Sequence, residues 1–180
     1  MIASPDDILN FWREAGPEKW FRKDTAFDGA IRSRFLETYE AAAAGQLSDL
    51  ERTADSALAL ILVLDQFPRN MFRNDARTFA ADPLARDVAG RALTRGFDRG
   101  RPVADKQFFY LPFEHSEHLP DQEHCCALFA TTGDAELLKW AQLHADIIRR
   151  FGRFPHRNKV LGRETTPEEQ AFLDGGGFAG

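Results

Sequence analysis

Residues Ala57-Leu58-Ala59-Leu60-Ile61-Leu62-Val63-Leu64 form the longest uninterrupted apolar run in the chain. A segment with no polar side must be covered from every direction, so it belongs at the centre of a packed core. A buried strand would satisfy the same demand. Alanine and leucine outnumber the β-branched residues, and the flanking segments read as helical, so the run predicts a helix over Thr53 to Phe67. It is far shorter than the roughly 20 residues a membrane helix needs, so no membrane association is expected.

Proline and glycine fall at helical spacings on both sides of this run. Ser4-Pro5-Asp6-Asp7 supplies an N-cap, a proline at the first helical position and an acid at the third, and Ile8, Phe11 and Trp12 follow at helical intervals. Phe27, Ile31, Phe35 and Tyr39 repeat every four residues inside a segment from Asp24 to Ala44, which Gly45 can close with a left-handed turn. Asp82-Pro83 opens a helix that Gly96 ends, with Leu84, Val88 and Leu93 toward the core. Helices are also predicted over Pro102 to Tyr110, Pro120 to Thr132, Asp134 to Phe151, and from the capping box Thr166-Pro167-Glu168-Glu169 to about Asp174. Trp12, Trp20 and Phe21 read as packing for an N-terminal hairpin.

No strand pattern, linker or low-complexity block interrupts this series. The expectation is an all-α chain, a single domain over residues 1–180 of seven to nine helices packed as antiparallel hairpins, with 175–180 a flexible tail after Gly175-Gly176-Gly177. With 43% apolar residues in 180, the chain can bury a substantial core without disulfides or metal. The net charge of -5 argues against a nucleic-acid partner. Cys125 and Cys126 are adjacent and read as free thiols, and the N-terminal residues lack a basic and apolar leader, so the expected location is cytoplasmic.

Three stretches carry chemistry. In Asp65-Gln66-Phe67-Pro68-Arg69-Asn70, Asp65 lies on a buried side of the apolar helix and near its predicted C-terminus, where burial and the helix dipole both disfavour a carboxylate. Arg69, Arg73 or a distant arginine must answer it. The second stretch is Tyr110-Leu111-Pro112-Phe113-Glu114-His115-Ser116-Glu117-His118. If helical geometry continues past Pro112, His115 points inward, whereas Glu114, Glu117, His118 and Asp121 share another side. A histidine beside carboxylates suits acid–base work, and a satisfied core histidine is the plain alternative.

The third is a run of cations, Arg149, Arg150, Arg153, Arg157, Lys159 and Arg163, with no acid between them. The arginine fork suits phosphate and carboxylate, so Arg153, His156, Arg157, Asn158 and Arg163 form a candidate anion pocket with Arg69, Asn70 and Arg73. The plain alternative is pairing with Asp65, Glu114 and Glu117. His144, on one side of a helix with Leu137, Ala141 and Ile148, reads as a core residue. The acids, histidines and thiols between Glu114 and Cys125 match no metal-binding spacing, so no metal is expected, and the sequence names no cofactor. In Phe67-Pro68-Arg69-Asn70 and Phe154-Pro155-His156-Arg157-Asn158, proline is expected to stop the preceding segment.

These stretches carry a resemblance. Asp65-Gln66-Phe67-Pro68-Arg69-Asn70 with Phe72-Arg73, Tyr110-Leu111-Pro112-Phe113 with His115-Ser116-Glu117, and Gly152-Arg153-Phe154-Pro155-His156-Arg157-Asn158 with Leu161-Gly162-Arg163 resemble the motifs of the bacterial domain of unknown function 924 family. The resemblance runs from Phe11-Trp12 and Trp20-Phe21 to the last helix, while Glu114, His118 and Pro120 depart from its pattern. It implies an all-α fold related to tetratricopeptide hairpins and no established activity.

Two functions follow as expectations. One is a small-molecule site in which Arg69, Arg153 and Arg157 hold an anionic group and His115, with Glu117 or Asp65, moves a proton. The other is a helical-hairpin module that docks a protein or peptide, the polar motifs acting as clamps.

Overall fold

The computed structural model describes residues 1–178, and among these every regular element is helical. The helices are α1 (Pro5–Ala15), α2 (Pro17–Trp20), α3 (Thr25–Ala43), α4 (54–71, in three consecutive segments), α5 (Asp82–Thr94), α6 (Val103–Glu114), α7 (Leu119–Ala130), α8 (Ala135–Phe151) and α9 (Pro167–Asp174). Their starts follow the sequence signals. Ser4 and Thr166 each close a capping box, Asp24 and Asp134 each accept two backbone N–H bonds, and Gly152 ends α8 in the left-handed conformation.

The chain divides into two compact units, Met1–Arg73 with Arg77–Pro112, and Asn74–Ala76 with the chain from Phe113 onward. No composition shift marks the border, which falls at Pro112 inside α6.

In the first unit α4 is the axis. Ala54–Ile61 is α-helical, Leu62–Gln66 winds as a π turn, and Phe67–Met71 is again α-helical without a break between them. Residues Ala57 to Leu64 are all at most 3% exposed, as a run with no polar side demands. Helices α1, α3 and α5 pack against it. Trp12 stacks on Trp20 at 5.8 Å, and Phe35 meets Phe67 at 4.8 Å. Phe21 departs from its expected packing role and is 61% exposed, although its ring lies 6.4 Å from those of Trp20 and Phe108. On α5, Val88 is buried, whereas Leu84 and Leu93 are half-buried.

Pro68 does not stop the helix, contrary to expectation. Phe67 donates its N–H to the Leu62 carbonyl, five residues back, so the wider turn accommodates the proline at the start of the following α-helical segment. Asp65 therefore lies within a continuous helix and not at its end.

In the second unit, α7 and α8 pack along one another as a hairpin. Its core groups Ile147, Ile148 and Phe154 with Leu119, Leu143, Phe151, Phe172 and Phe178. A 3-10 turn at Pro155–Arg157 carries the second Phe-Pro motif past Gly152. After α9, Gly177 donates to the Phe172 carbonyl at 2.9 Å and Gly176, at φ 80°, to that of Leu173 at 3.2 Å. This is a Schellman turn. Of the expected flexible tail, Gly175–Phe178 take this hydrogen-bonded path, and Ala179 and Gly180 lie outside the described residues.

Candidate functional site

The candidate residues divide between the units: Asp65, Arg69, Asn70 and Arg73 belong to the first, and His115, Glu117, Arg153, His156, Arg157, Asn158 and Arg163 to the second. In the first unit the π turn of α4 aims Asp65 into the core, where it is 1% exposed. Gln66 Nε2 donates to Asp65 Oδ2 at 2.6 Å, and Arg69 Nη1 lies 3.5 Å from Oδ1. Arg69 also forks onto Asp82 at the start of α5, with bonds of 2.9 and 3.0 Å. Burial would weaken the charge on Arg69, but Asp82 and Asp65 outweigh it and raise its pKa. Arg73 is not the answer to Asp65; it grips Asp28 of α3 through Nε and Nη2, and Asn70 Nδ2 donates to the same carboxylate at 2.8 Å.

The second unit repeats this device. Arg153 forks onto Glu169 of α9 at 2.6 and 2.9 Å, and Asn158 Nδ2 donates to Glu169 Oε2 at 3.1 Å. Thus each motif places one Asn amide and one Arg fork on a single carboxylate of another helix. Glu169 also receives the Thr166 backbone N–H at 2.8 Å, and these donors, the Arg153 fork first, hold its pKa down to about 2. Arg163 forks onto Glu117 at 2.7 and 3.0 Å, and the Phe154 N–H donates to Glu117 Oε1 at 2.8 Å. Burial would push Glu117 up, but Arg163, the Phe154 N–H and Arg157 together lower it. A carboxylate so held is a weak base at neutral pH.

Helix α6 ends at Glu114, and the burial around it differs from the expectation. Glu114 is 5% exposed, whereas His115 is only partly buried in the following turn. The helix stops before it can carry His115 inward. His118, expected on the side of Glu114, is exposed. Arg157 is 7% exposed, its guanidinium 4.5 Å over the Phe154 ring. Burial, with Arg157 and His144 adding, pulls the His156 imidazole down to about 3 and keeps it neutral. Cys125 is fully buried and its thiol is pushed up by burial, so it is no nucleophile at neutral pH. Both cysteines are free thiols.

Sequence reasoning did not single out Asp28, Asp82 or Glu169 as partners of these arginines, and it named Glu114 only as an alternative ion-pair partner. Glu169 had a signal, the capping box, but its service to Arg153 and Asn158 comes from packing. Among the described residues no group of three or more His, Cys, Asp or Glu side chains could hold a metal ion. No described helix is long and apolar enough to cross a membrane. A surface groove of about 480 Å³ runs along α3 beside Arg32, Leu36, Glu37 and Glu40, and none of the candidate residues lines it.

Residues 8–177 match a family described as bacterial protein of unknown function, DUF924. The chain belongs to this family. A solved structure of similar fold is that of the protein of unknown function ATU0120 from Agrobacterium tumefaciens, 48% identical, with a TM-score of 0.92 over 95% of this chain and 97% of that one. No curated protein matches the chain. The solved structure shares the all-helical fold, and neither comparison assigns an activity, which has to be argued from the residues.

Proposed function

We propose that the protein is a helical binding module for a protein or peptide segment, and that its polar motifs hold the scaffold. One observation carries this reading: the Arg–Asn pairs of both motifs are committed to carboxylates of their own unit, Asp28 and Glu169, and Arg69 and Arg163 fork onto Asp82 and Glu117. An anionic ligand would have to displace a two-bond carboxylate at each of these arginines, losing a charge-assisted pair for every one it gained. The carboxylates assigned to proton transfer are spent in the same way. What remains for recognition is the surface, where Phe21 and Trp140 are 61% and 48% exposed and suit an apolar anchor on a partner.

The test pairs two measurements. Selection of a displayed peptide library on the immobilised protein is expected to return segments with aromatic or aliphatic anchors, whose binding, followed by fluorescence polarisation, survives added phosphate. A thermal-shift series with phosphate, citrate and sugar phosphates is expected to leave the melting temperature unchanged. Stabilisation by those anions that disappears in Arg157→Ala would overturn the proposal and restore a small-anion site built on the second motif.

A further inference from the structure

One cluster of ionisable and aromatic groups in the second unit, to which the second motif lends Phe154 and His156, lies apart from the arginine–carboxylate pairs of both motifs. His144 of α8 is 6% exposed, and its Nδ1 lies 2.8 Å from the Trp140 carbonyl oxygen and 3.5 Å from Glu114 Oε1. A carbonyl only accepts, so the short contact places a proton on Nδ1. The Phe178 ring stands edge-on to His144 at 4.5 Å and to His156 at 5.2 Å, and lies 6.5 Å from Trp140. The Phe154 ring lies 5.6 Å from each of the two imidazoles. Phe178 therefore occupies a slot walled by His144, His156 and Trp140 and backed by Phe154.

Ordering the segment that delivers this ring carries a high entropic cost. Three successive glycines precede it, and glycine loses more conformational freedom on ordering than any other residue. Gly176 takes φ 80°, and a Cβ on Gly177 would fall 2.6 Å from the Phe172 carbonyl oxygen and ring, so the path is open to glycine alone at that point. His156 contributes a neutral ring, and its Nδ1 is buried without a hydrogen-bond partner among the described residues. Phenylalanine leaves that atom unused. A tyrosine hydroxyl, which both donates and accepts, has the chemistry to use it.

We propose that this slot is the receptor for an aromatic side chain of a partner segment, tyrosine above all, and that Phe178 is its resident competitor. The inference rests on the binding-module reading and gives that module its anchor. Release of the Gly175–Phe178 strap opens the slot, and the incoming ring takes over the edge-on contacts to His144 and His156.

The probe is N-acetyl-L-tyrosinamide, titrated into the full chain and followed by the imidazole carbon-bound proton resonances of His144 and His156. Wild-type protein is expected to bind weakly at these resonances. Phe178→Ala, which empties the slot, and Gly177→Ala, which blocks the strap's path and keeps every other side chain, are each expected to bind at least tenfold more tightly. Gly177→Ala and the wild type carry the test should Phe178→Ala fail to fold, which circular dichroism reports. A folded variant that binds no more tightly than wild type, or a probe that shifts neither histidine, overturns the slot. Such a failure leaves peptide binding elsewhere on the module untouched. Conversely, anion stabilisation lost in Arg157→Ala overturns the module without altering whether the slot takes tyrosinamide.

Discussion

Glu169→Gln is the substitution that most directly tests whether the second motif is a clamp. In the native protein Oε2 accepts from Arg153 Nη2, Asn158 Nδ2 and the Thr166 N–H, and Oε1 from Arg153 Nε. A glutamine can turn its remaining oxygen toward the three donors, but its NH2 then faces Arg153 Nε and the charge is gone. The loss is one charge-assisted hydrogen bond plus the attraction for Arg153, and Arg153 recovers part of this because its side chain is 29% exposed. We expect a destabilisation of about 2–3 kcal/mol, below the roughly 3–5 kcal/mol of breaking a fully buried pair. For a chain of this size that lowers the melting temperature at pH 7 by roughly 4–12 °C. The pH dependence has a defined sign. Glu169 is held at about 2 against an ordinary 4.5, so its stabilisation is complete above 4.5 and is lost as the pH falls from 4.5 toward 2. The variant has no such group, so the gap between the two melting curves narrows across that window. A melting temperature unchanged within about 1 °C at pH 7, or a gap that persists at pH 2.5, would refute the clamp.

Arg69→Ala removes the cation between Asp65 and Asp82 and is expected to cost about 3–5 kcal/mol in a urea titration; a loss below about 1 kcal/mol would show that the two acids are satisfied without it. His156 is expected to stay neutral between pH 8 and pH 5, because burial has pulled it to about 3, so its imidazole resonances should not titrate in that range. Its unfolded counterpart, ordinarily near 6.5, takes up a proton below that value, so His156 also withdraws stability as the pH falls from 6.5 toward 3. A midpoint above 6 would contradict the burial argument. Cys125 is expected to resist iodoacetamide in the folded protein, whereas both thiols alkylate in urea; rapid native labelling of Cys125 would show that the helix hairpin opens.

Local chemistry was enough to place most helices. Capping residues at Ser4, Asp24, Asp134 and Thr166 and the glycines at 45, 96 and 152 act within one turn of backbone, so their effect is legible in a few consecutive letters. The same holds for the apolar run from Ala57 to Leu64, whose burial follows from having no polar side. The π turn was beyond such reasoning. Pro68 predicts a stop when only its missing N–H is weighed, and the helix continues because the Phe67 N–H bonds five residues back.

The candidate site was legible as residue types and not as partnerships. Arginines, asparagines and carboxylates announced that buried charge had to be compensated, which is a statement about each residue alone. Which carboxylate meets which guanidinium is set by helix packing, so Asp28 for Arg73, Asp82 for Arg69 and Glu169 for Arg153, each at least 13 residues away along the chain, belong to the tertiary structure. The burial of Glu114 in place of His115 depends in the same way on where α6 ends, and the seat of Phe178 on where α8 and the Pro155–Arg157 turn place two imidazoles. Backbone propensity acts over neighbouring residues, and so the sequence by itself determined the helices. Electrostatic and aromatic pairing act through space between segments, and only the folded chain decided them.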